Sequence, residues 1–155
     1  MEAKRIEMKG QSGHRLYQFP AKDKLTITPD SIAYVYTPGM PKFDVYQNRK
    51  WSYKTKNAKF AVLFTKLVDA FERISVLDEL ESKFDEVTFE EAKVECFYNT
   101  MELTISYEDG TRKTRKFVLP DDDFVNCYKI IKELIPKIEQ IPRVLSDWEC
   151  DDEEE

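Results

Sequence analysis

Histidine is the side chain most often recruited for proton transfer near neutral pH, and this chain has one, His14, in Ser12-Gly13-His14. It has no His-Glu-x-x-His pair, no Cys-x-x-Cys, no nucleophile elbow, and only 4 glycines from which to build a phosphate cradle. Those are the arrangements that zinc, thiol, hydrolase and nucleotide chemistry require. The reading is therefore of no catalytic residue, no cofactor and no metal, with His14 a surface turn residue. The densest carboxylate cluster of the body is Asp121-Asp122-Asp123. Consecutive helical side chains point about 100° apart, whereas a hard cation draws oxygen ligands from several converging positions. Between Pro120 and an apolar-periodic run, these acids are read as acceptors for the free N–H groups of a helix start.

What the chain does carry is segregated charge. The net charge is −6, and the last nine residues, 147–155, hold seven carboxylates and neither Lys nor Arg, so that 24 basic and 23 acidic side chains remain in residues 1–146. A block of like charge with little apolar content cannot bury enough surface to offset the entropy of ordering, and this tail is expected to stay mobile. A second acidic stretch lies between Glu72 and Glu95, with nine acids against three bases. Basic residues gather on two arms, Arg49-Lys-Trp-Ser-Tyr-Lys-Thr-Lys56 and Arg112-Lys-Thr-Arg-Lys116. In a strand, Lys50, Ser52, Lys54 and Lys56 share one face and Trp51, Tyr53 and Thr55 the other, so the aromatics pack inward and the lysines face water.

Three functions follow as expectations. The first is a non-catalytic interaction module, an adaptor, regulator or inhibitor that binds another protein. It would do so through exposed strand faces or through the tail, where Trp148 is an apolar anchor amid Asp151, Asp152, Glu153, Glu154 and Glu155. The second is nucleic-acid binding by Arg49, Lys50, Lys54, Lys56, Arg112, Lys113, Arg115 and Lys116. It requires the two arms to lie side by side, with Trp51 or Tyr53 exposed for base stacking, and the acidic tail would temper it. The third is an acidic mimic of nucleic acid that inhibits a DNA- or RNA-binding protein.

The elements that must position these residues read as α+β: an antiparallel sheet of hairpins with two main amphipathic helices on one face. Strands are predicted at Ile6–Lys9, Leu16–Phe19, Leu25–Thr28, Ser31–Thr37, Phe43–Gln47 and Lys50–Thr55, where β-branched and aromatic residues alternate with polar ones between turn residues. Apolar residues at spacings of three and four predict a helix over Ala58–Arg73, with Asn57 as its N-cap. Residues 75–92 suit a short acidic helix and a capping box, Thr88-Phe-Glu-Glu91. Alternation returns at Val94, Cys96 and Tyr98, then at Leu103–Tyr107, where Asp109-Gly110 supplies a tight turn into Arg112–Leu119. A second helix follows from Phe124, bent or ended by Pro136. Sliding the chain by 64 positions registers Tyr53, Phe60, Phe64, Leu67 and Ile74 on Phe117, Phe124, Tyr128, Ile131 and Ile138, as two pseudo-repeated hairpin-helix halves would.

At 155 residues with 41% hydrophobic content, the chain fits one domain over 1–146 followed by the tail. No apolar run reaches the ~20 residues of a membrane span. Three cysteines, Cys96, Cys127 and Cys150, do not make a disulfide framework. The expectation is a cytoplasmic protein with no membrane partner.

Overall fold

The computed structural model describes residues 2–11, 22–37, 50–77, 99–118 and 122–136. Six strands form one sheet: β1 (Ala3–Gln11), β2 (Lys22–Thr28), β3 (Ser31–Thr37), β4 (Lys50–Lys54), β5 (Thr100–Tyr107) and β6 (Arg112–Val118). Helix α1 (Ala58–Leu77) follows β4, and α2 (Asp122–Leu134) follows β6. The spatial order is β4-β3-β2-β1-β5-β6, and every neighbouring pair is antiparallel. The α+β reading holds, with both helices on one side of an antiparallel sheet.

Alternation places one apolar set on a single face of that sheet. Ile32, Ile27, Ile6 and Ile105 lie side by side across four strands, and Trp51, Tyr34, Leu25, Met8 and Leu103 form the next row. All of them are buried. The helices close this face with Phe64, Leu67, Val68 and Phe71 from α1 and Phe124, Cys127, Tyr128, Ile131 and Leu134 from α2, all in one core with the strand residues. Phe117 of β6 meets Phe124 of α2 at 5.5 Å between ring centroids, a tilted contact of the kind aromatic quadrupoles favour.

Local chemistry sets the boundaries. Asn57 caps α1, its side-chain oxygen accepting the Lys59 N–H at 2.9 Å while its carbonyl accepts the Phe60 N–H at 3.1 Å. The β5–β6 turn depends on Gly110, whose φ of 89° suits a residue without a Cβ. Beside it, Asp109 Oδ1 accepts both the Thr111 hydroxyl, at 2.6 Å, and the Thr111 N–H, at 3.0 Å. These bonds to the charged form hold the Asp109 carboxyl below its ordinary value.

Helix α1 runs to Leu77, beyond the predicted Arg73. Strands β1 and β2 also exceed their predicted spans, because polar residues such as Lys22 and Gln11 still alternate with inward positions at the strand ends. The predicted strands at 16–19, 43–47 and 94–98, and the capping box at 88–91, lie outside the described residues. The 64-position offset matches the helix starts, Ala58 and Asp122, and the buried residues Phe64, Leu67, Tyr128 and Ile131. It fails at Tyr53, which is 37% exposed where Phe117 is fully buried. Ile138 lies outside the described residues.

Candidate functional site

The helices cover one face of the sheet, and alternation sends the other half of the strand residues to the opposite face. There the described residues are almost all polar. Strand β1 contributes Arg5, Glu7, Lys9 and Gln11; β2 contributes Lys22, Lys24, Thr26 and Thr28. From β4 come Lys50, Ser52 and Lys54, from β5 Glu102 and Thr104, and from β6 Arg112, Thr114 and Lys116. Among the described residues the charges of this face are eight basic (Arg5, Lys9, Lys22, Lys24, Lys50, Lys54, Arg112, Lys116) against two acidic (Glu7, Glu102). One row crosses the whole sheet as Lys50, Val35, Lys24, Lys9, Glu102 and Lys116. At a strand spacing of ~4.8 Å it spans roughly 24 Å.

Glu7 ties part of this surface together, lying 3.6 Å from Arg5 Nε and 3.8 Å from Lys24 Nζ. Thr104 and Thr114 share a hydroxyl hydrogen bond of 3.0 Å across β5 and β6. Toward the end of the sheet where β2 and β5 begin, the face dips into a concavity of about 400 Å³. Lys9, Gln11, Lys22, Lys24, Val35, Thr37, Thr100 and Glu102 line it, with Gly10 and Asp23. Lys9 stands directly opposite Lys24 in the register, and Lys22 lies one pleat away on the same face.

Behind the concavity, the sheet carries a buried polar pair. The Tyr34 hydroxyl donates to Asp23 Oδ2 at 2.6 Å, and Asp23 is only 4% exposed. Burial, reinforced by the adjacent Asp23 carboxylate, pushes the Tyr34 phenol well above its ordinary value. The Tyr34 ring stacks on Trp51 at 5.6 Å, so β2, β3 and β4 are joined beneath the lysines they carry on the other face. A second polar corner lies where α1 meets β5 and β6. Lys113 approaches Glu72 at 3.6 Å and sits 5.6 Å over the Tyr107 ring. Burial, then the Glu72 charge, raises the Tyr107 phenol.

The two basic arms do not lie side by side, as a single basic patch built from them requires. Strands β4 and β6 are opposite edges of the sheet, because β3, β2, β1 and β5 intervene. Lys50, Lys54, Arg112 and Lys116 nonetheless share the open face, while Lys56 is exposed in the β4–α1 connection. Lys113 and Arg115 point to the helix side, and Arg115 is 5% exposed with its guanidinium 5.6 Å from the Phe117 ring centroid. Trp51 is 6% exposed and Tyr53 lies on the helix side with it, so neither offers a base a platform on the basic face. Arg49, His14, Asp121 and the tail residues Trp148 and Asp151 to Glu155 lie outside the described residues. Among the described residues no group of His, Cys, Asp and Glu could hold a metal ion, and no helix is long and apolar enough to cross a membrane.

The central charges Arg5, Lys9, Lys22 and Lys24 escape a reading confined to runs of basic residues. Each alternates with a buried neighbour, and only the order of strands gathers them with the edge lysines. The signal present in sequence is the alternation itself, Arg5-Ile-Glu-Met-Lys9 and Lys22-Asp-Lys-Leu25. Comparison with protein-family models, with curated proteins and with solved structures yields no match.

Proposed function

We propose that this protein is a non-catalytic interaction module of the cytoplasm that holds an acidic segment of another protein against the open face of its sheet. The supporting observation is the charge of that face, eight basic side chains to two acidic among its described residues, within a chain of net charge −6. Complementary charge speeds encounter and selects partners more than it supplies raw affinity. The non-catalytic part of the proposal rests on the sequence, which assembles no nucleophile, base or metal set. The acidic terminus, with Trp148 and Asp151, Asp152, Glu153, Glu154 and Glu155, is proposed as a second point of attachment, for a basic patch on the same partner.

A second reading, favoured by the row that carries Lys50, Lys24, Lys9 and Lys116 across the sheet, is contact with nucleic-acid phosphates. With no aromatic residue among the described residues of the open face, such binding would follow the backbone and ignore the bases. The overall charge of −6 opposes it at long range. The acidic stretches that a nucleic-acid mimic needs lie mostly outside the described residues.

The test titrates a polyglutamate peptide and a DNA duplex into the full chain and into a Lys24→Glu, Lys50→Glu, Lys116→Glu variant, at about 50 mM and about 200 mM salt. The expected result is polyglutamate binding at low salt that the charge-reversed variant loses. Duplex binding that is the tighter of the two and falls steeply with salt selects the second reading. Equal binding of polyglutamate by both chains rules out the open face.

A further inference from the structure

We propose that the concavity at the end of the open face is a site for a phosphomonoester group, held by Lys9, Lys22 and Lys24. The inference rests on the open face being the recognition surface and names the chemistry of its concavity. Lys9 and Lys24 are direct cross-strand partners, and Lys22 stands beside them on β2. Like charges directly opposite one another on adjacent strands oppose folding, so the arrangement works against the fold that carries it. Glu7 relieves Lys24 in part, at 3.8 Å, and Glu102 on β5 is the other cross-strand neighbour of Lys9, which leaves three lysines to two carboxylates. No carboxylate among the described residues lies within ion-pair distance of Lys9 or Lys22. Three ammonium groups around a hollow of about 400 Å³ leave room for a ligand that carries the missing negative charge.

The rim narrows the class. Thr37 offers an exposed hydroxyl beside the lysines, while Glu102 is the one acid among the described residues of the open-face rim. A single carboxylate brings one charge and two oxygens. A phosphomonoester brings nearly two charges and three strong acceptor oxygens, which suits three point-charge donors and a neighbouring hydroxyl. A phosphorylated side chain of the partner and a small phosphorylated molecule share this chemistry.

The experiment titrates the full chain with an acidic peptide carrying one phosphoserine, with the same peptide carrying serine, and with glycerol phosphate, read by calorimetry and by amide shifts. Lys9→Gln and Lys22→Gln are compared with Lys54→Gln, which changes the same face at the far end of β4. The expected result is a phosphopeptide bound about tenfold or more tighter than its serine form, with that advantage lost in the Lys9 and Lys22 variants and kept in the Lys54 variant. Saturable binding of glycerol phosphate with shifts at Lys9 and Lys22 identifies a small molecule as a sufficient source; binding of the phosphopeptide alone identifies a protein source. Equal affinity for the two peptides, or equal loss in all three variants, overturns the site and leaves the open-face reading standing. No binding by any probe removes both.

Discussion

Replacing Tyr34 with phenylalanine removes one oxygen from the middle of the sheet, and its consequences follow from the geometry. The hydroxyl donates to Asp23 at 2.6 Å, both residues are buried, and the ring stays stacked on Trp51. Phenylalanine keeps the packing and deletes the donor. A hydrogen bond to a charged group contributes about 1.5–3 kcal/mol, and leaving the acceptor buried forfeits the same order. For a domain of this size each kcal/mol moves Tm by roughly 2–4 °C. Tyr34→Phe should therefore lower Tm by about 3–12 °C at pH 7. The pH dependence has a defined sign. The folded phenol is held above its ordinary value, so Tyr34's contribution is fully present below pH ~10 and is lost as pH rises further, when the unfolded chain releases a proton that the folded chain retains. The wild type should lose up to about 1.4 kcal/mol per pH unit there from this residue alone. Phenylalanine lacks that slope, so the gap between the two stabilities should narrow by about 1 kcal/mol between pH 10 and 11. Urea unfolding followed by circular dichroism from pH 7 to 11 measures both effects. Equal stability at pH 7, or curves that stay parallel above pH 10, would refute the buried pair as described.

Gly110→Val should destabilise the β5–β6 hairpin by about 1–2 kcal/mol, because φ is 89° there; the surrounding space is open, so strain and not collision is the cause. Gly110→Asn should recover part of the loss, measured by the same urea unfolding. Asn57→Ala should lower stability by about 0.5–2 kcal/mol through loss of the α1 cap, and hydrogen exchange should quicken in the first turn of α1.

Fold class was legible because two periodicities dominate the chain. Strands such as Ser31–Thr37 alternate cleanly, and Phe64, Leu67 and Phe71 recur at helical spacing. Asn57 and Asp109-Gly110 mark a helix start and a turn by local chemistry, which sequence displays directly. Strand order was not legible, since no local rule places β1 between β2 and β5 or sends β4 and β6 to opposite edges. The adjacency of the two basic arms that nucleic-acid binding requires fails for that reason. The same ordering assembles Arg5, Lys9, Lys22 and Lys24 into a surface that no run of residues announces. Arg115 shows the converse: one residue from Lys116 in sequence, it belongs to the helix side and is buried.

The most direct test of the open face as the recognition surface is amide chemical-shift mapping of the full chain during titration with polyglutamate at ~50 mM salt. The predicted result is a set of shifts confined to alternate strand residues, centred on Lys9, Lys24 and Lys116 and reversed by added salt. Shifts confined to the outer surfaces of α1 and α2, or none at saturating peptide, would contradict it.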